Sequence, residues 1–160
     1  MPLSTTGICH QIVSSLKTFR FEGHGTVNDC KVVLNHLIRK FSEPLQKEGR
    51  QQVYYSKNVS SSTKKIKEHL IPVNEIMNYF LRMDLNSTKD KLVHHIDTYL
   101  QNALVIVFVT EEEDLILNQS GFQRSMPLEY INPESHLFQD KWARYKSADI
   151  FSNIIIDNVA

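Results

Sequence analysis

Apolar positions along the chain fall into two spacings. In residues 5–19 (TTGICHQIVSSLKTF), Ile8, Ile12, Val13 and Leu16 recur at a helical period. A glycine-containing break, RFEGHGTVND, follows. Val27, Cys30, Val33, Leu34, Leu37, Ile38 and Phe41 then predict an amphipathic helix to about residue 42. Thr26 is its expected N-cap, with Asp29 three residues on in a capping-box position. Pro44 is expected to end or kink it, because proline lacks the amide hydrogen and crowds the preceding turn. QQVYYSKNV and KIKEHLIPV have strand composition and are expected to form a hairpin across the polar SSSTKK. Asn74 is a candidate cap for a helix carrying Ile76, Met77, Phe80 and Leu81. Ser87 is a candidate cap for one carrying Leu92, Val93, Ile96, Tyr99 and Leu100. ALVIVFVT is apolar and β-branched, which predicts a central strand. TEEEDLILNQS predicts a short helix whose acidic first turn suits the helix dipole. SMPLEYINPE reads as a loop, DKWARYKSADIF as a helix with Trp142 and Tyr145 inward, and NIIIDNV as a terminal strand able to pair with the edge of a partner or a second copy.

These elements predict an α+β fold: one mostly helical domain with a small, largely antiparallel sheet. Three parts are expected within it. Residues 1–48 are basic and helical, residues 50–118 hold the strands with a helical insertion, and residues 119–160 supply a loop, a helix and a strand. The 160 residues, 41% hydrophobic and 22% charged, suit one globular domain. No apolar run nears the roughly 20 residues a membrane helix needs. The N-terminal MPLSTTGICHQIV lacks the basic and apolar regions of a secretion signal. Cys9 and Cys30 form no CxxC pair, which excludes a disulfide framework and a cysteine zinc site; they read as reduced, buried thiols of a cytoplasmic protein.

Net charge is zero but unevenly spread. Residues 1–67 hold 11 Lys/Arg against 4 Asp/Glu, a net +7, and residues 68–160 hold 7 against 14, a net −7. A basic half can grip phosphates and an acidic half can hold a hard cation. The halves can equally neutralise each other or a partner.

KIKEHLIPVNEI, residues 65–76, sets Glu68 and His69 inside an apolar run that closes at Pro72. Downstream lie Asn102, before the apolar strand, and the helix start EEED at 111–114. This order resembles the ββα-metal nuclease motif known as HNH. The resemblance covers residues 64–118 and is closest in EHLIP. It implies a ββα-metal-like core in which Glu68 is a metal ligand, His69 the general base, and Asn102 the residue that orients the imidazole. Asp114, or one of Glu111, Glu112 and Glu113, would be the second ligand, and magnesium or manganese the cation. The residue types suit the chemistry: an imidazole takes a proton near neutral pH, and oxygen ligands select hard cations. The chain departs from the family in its helical sequence after Pro72, its long gap to Asn102 and its acidic helix without a histidine.

Each residue also has an ordinary reading. His69 can be a strand-end histidine satisfied by a carbonyl. Asn102 can end the preceding helix, and EEED can be a good helix start. Arg39, Lys40, Lys64, Lys65, Lys67, Arg144 and Lys146 are the expected phosphate contacts, with Arg144 and Lys146 beside aromatics in WARYK. No GxGxxG, GxxxxGK[ST], GxSxG or HExxH is present, which removes nucleotide-loop, hydrolase-elbow and zincin readings. Two functions follow: a metal-dependent nuclease of phage, mobile-element or bacterial defence type, and a non-catalytic interaction protein with an accessory, immunity or anti-defence role.

Overall fold

A computed structural model describes residues 3–156. In chain order the elements are α1 (Thr5–Phe21), α2 (Val27–Lys47), β1 (Val53–Ser56), β2 (Lys65–His69), α3 (Val73–Arg82), α4 (Lys89–Ala103), β3 (Ile106–Thr110) and α5 (Glu111–Gln119). A 3-10 turn (Leu128–Ile131), α6 (Ala143–Ser147), a second 3-10 turn (Phe151–Asn153) and β4 (Ile154–Ile155) complete them. The fold is α+β, mostly helical, with one small mixed sheet.

The chain forms two compact units. One holds the described residues up to Gln51 with Ile76–Leu104; the other holds Gln52–Glu75 with the described residues from Val105 onward. The helical insertion expected within 50–118 thus groups with the N-terminal helices.

In the helical unit α1 packs against α2 and α4. Ser4 caps α1, accepting from the Gly7 amide. The capping box of α2 forms as expected between Thr26 and Asp29. Pro44 does not end this helix, which runs on to Lys47 with Pro44 buried inside it. It stops instead at a Schellman motif, in which the Arg50 amide donates to the Leu45 carbonyl and the Gly49 amide to that of Gln46. Gly49 supplies the required left-handed residue at φ +64°. Arg20 of α1 donates to the carbonyls of Phe80, Leu81 and Met83, capping the C-terminal end of α3. Neither expected helix cap on the later helices is the residue observed. α3 starts at Val73, so Asn74 lies in its first turn, and the cap of α4 is Thr88 rather than Ser87.

In the second unit the strand order is β2-β3-β1-β4. β1 and β2 do not form the expected hairpin. β3 lies between them, parallel to β1 (Val53↔Ile106) and antiparallel to β2 (His69↔Ile106, Lys65↔Thr110). The mostly apolar β3 takes an interior position, and the lysine-bearing strand takes an edge, where charge faces water at little cost. β4 pairs antiparallel with β1. It is shorter than NIIIDNV suggested within the described residues; residues 157–159 of that stretch lie outside them.

Strand alternation gives the sheet two faces. Ile66, Tyr54, Val107, Val109 and Ile154 face a core with Leu117 of α5 and with Trp142 and Tyr145. Glu68 and Ser56 share that face. Lys65, Lys67, His69, Tyr55, Phe108 and Ile155 belong to the other. α5 follows β3 directly and packs on both β3 and β2.

Candidate functional site

On the covered face of β2, three charged side chains meet. Glu68 comes from the strand, Asp114 from the first turns of α5, and Arg144 from α6. Arg144 is 1% exposed and behaves as a structural cation. Its Nε donates to the Leu70 carbonyl at 3.1 Å and its Nη1 to that of Phe122 at 2.8 Å. Its Nη2 reaches Glu68 Oε2 at 3.1 Å and also the His69 carbonyl. Arg144, expected from sequence among the phosphate contacts, is instead engaged within the fold by every donor named here.

The Asp114 carboxyl lies within hydrogen-bonding reach of Glu68, and Asn118 Nδ2 donates to its Oδ2 at 3.2 Å. Burial pushes the Glu68 carboxyl above the ordinary range, Arg144 pulls it back, and Asp114 adds to the rise; the net direction is up. The Tyr145 hydroxyl is buried in the same region without a hydrogen-bond partner among the described residues. Burial raises that phenol too, and the charges of Arg144, Glu68 and Asp114 all reach it. Two ligands expected from sequence, Glu68 and Asp114, are thus brought together from positions 46 residues apart.

Within the same unit, His69 and Glu111 do not join them. His69 follows Glu68 in a regular strand, so its side chain leaves by the opposite face. Asn102 is in the helical unit, exposed on α4, where its Nδ2 donates to the Thr98 carbonyl at 2.9 Å. That satisfies the helix-end reading, and its amide is engaged with its own helix. Glu111 is not with Glu68 and Asp114; it pairs with Lys64 at 2.7 Å, both exposed. Among the described residues no three His, Cys, Asp or Glu side chains gather to hold a metal ion.

Glu113 has a different task. It is buried, and its Oε1 accepts from Ser56 Oγ at 2.7 Å, Asn58 Nδ2 at 2.9 Å and Asn153 Nδ2 at 3.0 Å. Its Oε2 accepts from the Thr110 amide at 2.9 Å, completing a capping box on α5. Burial alone would raise this carboxyl, but the four donors overcome it and hold it below the ordinary range. It ties α5 to the end of β1 and to the approach to β4.

Of the remaining expected phosphate contacts, Lys40 pairs with Glu43 at 2.6 Å and Lys146 with Asp140 at 2.5 Å. Arg39 donates to Asn35 on its own helix. Lys65 and Lys67 are exposed and make no salt bridge among the described residues. Lys65 lies over the rings of Phe108 and Tyr55. Both cysteines are buried as expected, and burial pushes the Cys9 thiol up to about 12, which leaves it unreactive.

No family model matches the chain, and neither does any curated protein or solved structure.

Proposed function

We propose that this chain is a metal-dependent nuclease that hydrolyses phosphodiester bonds, acting in the cytoplasm in a phage, mobile-element or bacterial defence setting. The observation that carries this reading is the meeting of Glu68 and Asp114 on one side of β2. Two carboxylates in contact repel, and a cation between them relieves the repulsion. The donor set fits magnesium or manganese, which take one or two carboxylates and keep their waters; it does not fit a metal that needs a full protein cage. The Tyr145 hydroxyl, without a hydrogen-bond partner among the described residues, lies within electrostatic reach of the pair. The order β2, β3, α5, with the acid on the first strand and its partner on the helix, supports the resemblance to HNH enzymes.

In this reading Glu68 and Asp114 hold the cation, and Arg144 fixes the Glu68 carboxylate and the chain just beyond it. A bound cation supplies positive charge to the developing phosphorane and acidifies a water. His69, on the other face of the strand, takes no proton within this pair. The exposed lysines of β2 bring the phosphate backbone to the edge of the sheet.

A non-catalytic interaction protein is the second reading. Its supporting observations are the Arg144–Glu68 bond, which already neutralises part of the cluster, and the exposed apolar Leu128, Ile131 and Phe138. Cleavage of labelled DNA and RNA by the purified chain in magnesium or manganese separates the two. The nuclease predicts cleavage that EDTA abolishes and Asp114→Asn reduces at least about 100-fold, with His69→Ala changing it by less than about tenfold. A folded protein that cleaves neither polymer with any divalent metal leaves the interaction reading.

A further inference from the structure

The sheet face opposite the core carries, at one end, a row of cross-strand neighbours that the carboxylate site does not use. Lys67 on β2 pairs with Phe108 on β3, Phe108 with Tyr55 on β1, and Tyr55 with Ile155 on β4. Tyr55 is 43% exposed and Ile155 48%. The Tyr55 and Phe108 rings stack at 5.1 Å with 21° between their planes. Lys65 Nζ lies 4.6 Å from the Phe108 centroid.

Large side chains left open on a sheet face have a cost unless something covers them. The charges beside them point to what does. Lys65 and Lys67 stand on the same face as the rings, two residues apart, and neither has a carboxylate partner among the described residues. An occupant must therefore offer flat apolar surface and negative charge together. Unpaired nucleotides do so: each base has a π-face for the rings, and each linkage carries a phosphate for the ammonium groups. A duplex hides its base faces in its own stack, and an apolar protein surface leaves the lysines unpaired.

We propose that this sheet face is a binding platform for single-stranded nucleic acid, with a base on the exposed Tyr55 ring, which Phe108 backs, and phosphates at Lys65 and Lys67. The platform lies on the opposite face of β2 from Glu68 and needs no metal. It deepens the nuclease reading by naming the form of the substrate, yet it is tested apart from cleavage.

The test is fluorescence anisotropy of the full chain in EDTA, with a short oligo(dT), an oligo(U) and a duplex of equal length. Single strands are expected to bind at least tenfold tighter than the duplex. Tyr55→Ala is expected to weaken them about fivefold to 100-fold, as loss of one stacking contact does. Tyr55→Leu, which keeps apolar bulk but not the π-face, is expected to weaken them as well, and covers the case in which the alanine variant misfolds. Lys65→Gln with Lys67→Gln is expected to lower the slope of log K against log salt by about 1.4, near 0.7 per phosphate contact. Duplex binding as tight as single-strand binding overturns the proposal. So does unchanged affinity in a natively folded Tyr55→Leu. Failure to bind any oligonucleotide while an acidic peptide binds overturns it in favour of a protein partner. Metal-dependent cleavage confined to duplex leaves the nuclease standing without the platform; single-strand binding without cleavage leaves the platform standing without the nuclease.

Discussion

Arg144 donates from a buried guanidinium to the Glu68 carboxylate at 3.1 Å, across 76 residues of chain. The same guanidinium takes the carbonyls of His69, Leu70 and Phe122. It therefore fixes the end of β2 and the stretch after α5 at once, and holds Glu68 where Asp114 reaches it. A lysine keeps the charge but cannot form the planar fork that meets several acceptors. Arg144→Lys is expected to destabilise the protein by at least about 3 kcal/mol in urea unfolding, the scale of breaking a buried ion pair. Oligonucleotide affinity of the folded variant is expected to stay within about twofold of wild type. A stable variant with lost affinity would mean that the guanidinium reaches phosphate after all.

This arrangement also shows what was legible in the sequence. Helical and strand periods identified α1, α2, α4, β3 and α5, because each buries one face or both. The Thr26 capping box was visible for the same local reason. The order of strands was not, since two strand-like runs near each other say nothing of a third strand inserted between them. Nor was the end of α2: the proline rule is local, while burial of Pro44 and the turn at Gly49 outweigh it. Glu68 and Asp114 are legible as acids, but grouping His69 with them disregards alternation along β2, which sends adjacent side chains to opposite faces. Arg144 was read by its aromatic neighbours in WARYK, when its partners lie far upstream. Glu113 was hidden among four successive acids. The signal that distinguishes it was present, a threonine three residues earlier, and marks it as the capping glutamate.

Glu113 should make the protein acid-sensitive. Its carboxyl is held below the ordinary range in the folded state despite burial, because Thr110, Ser56, Asn58 and Asn153 all donate to the charged form. A depressed carboxylate contributes stability above its unfolded pKa, near 4.3, and loses it as pH falls through the lower folded value. Glu113→Gln removes the titrating group and leaves donors facing an amide. It is expected to cost about 1–3 kcal/mol at pH 7. Thermal melts from pH 7 to pH 2 should show the gap between wild type and variant narrowing below about pH 4. A gap that stays constant would place the acid sensitivity elsewhere.

Gly49 closes α2 at φ +64°, and a β-carbon added there meets nothing within 4 Å. A substitution is therefore resisted by backbone conformation alone, with no steric clash to confuse it. Gly49→Ala is expected to cost about 1 kcal/mol. Gly49→Asn is expected to cost less, since asparagine tolerates the left-handed region. Equal melting temperatures for all three proteins would show that the Schellman turn is not held in solution.

Asp114→Asn separates a metal site from a structural charge cluster. Burial, with Asp114 adding, raises the Glu68 carboxyl above its ordinary value in the folded state. A raised carboxylate contributes stability below its unfolded pKa, near 4.3, and that contribution is lost as pH rises through the higher folded value. Wild-type protein in EDTA should therefore lose stability over that window. Removing the Asp114 charge takes away one cause of the rise, so the variant's loss should be shallower, and its melting temperature at pH 8 in EDTA should equal or exceed that of wild type. Magnesium should reverse the ranking. At ten times a millimolar dissociation constant, a cation on the folded state alone stabilises by about 1.4 kcal/mol. Wild type is expected to show that gain, and Asp114→Asn none. If both proteins respond to magnesium alike, the cation binds elsewhere, and Glu68, Asp114 and Arg144 are a folding device.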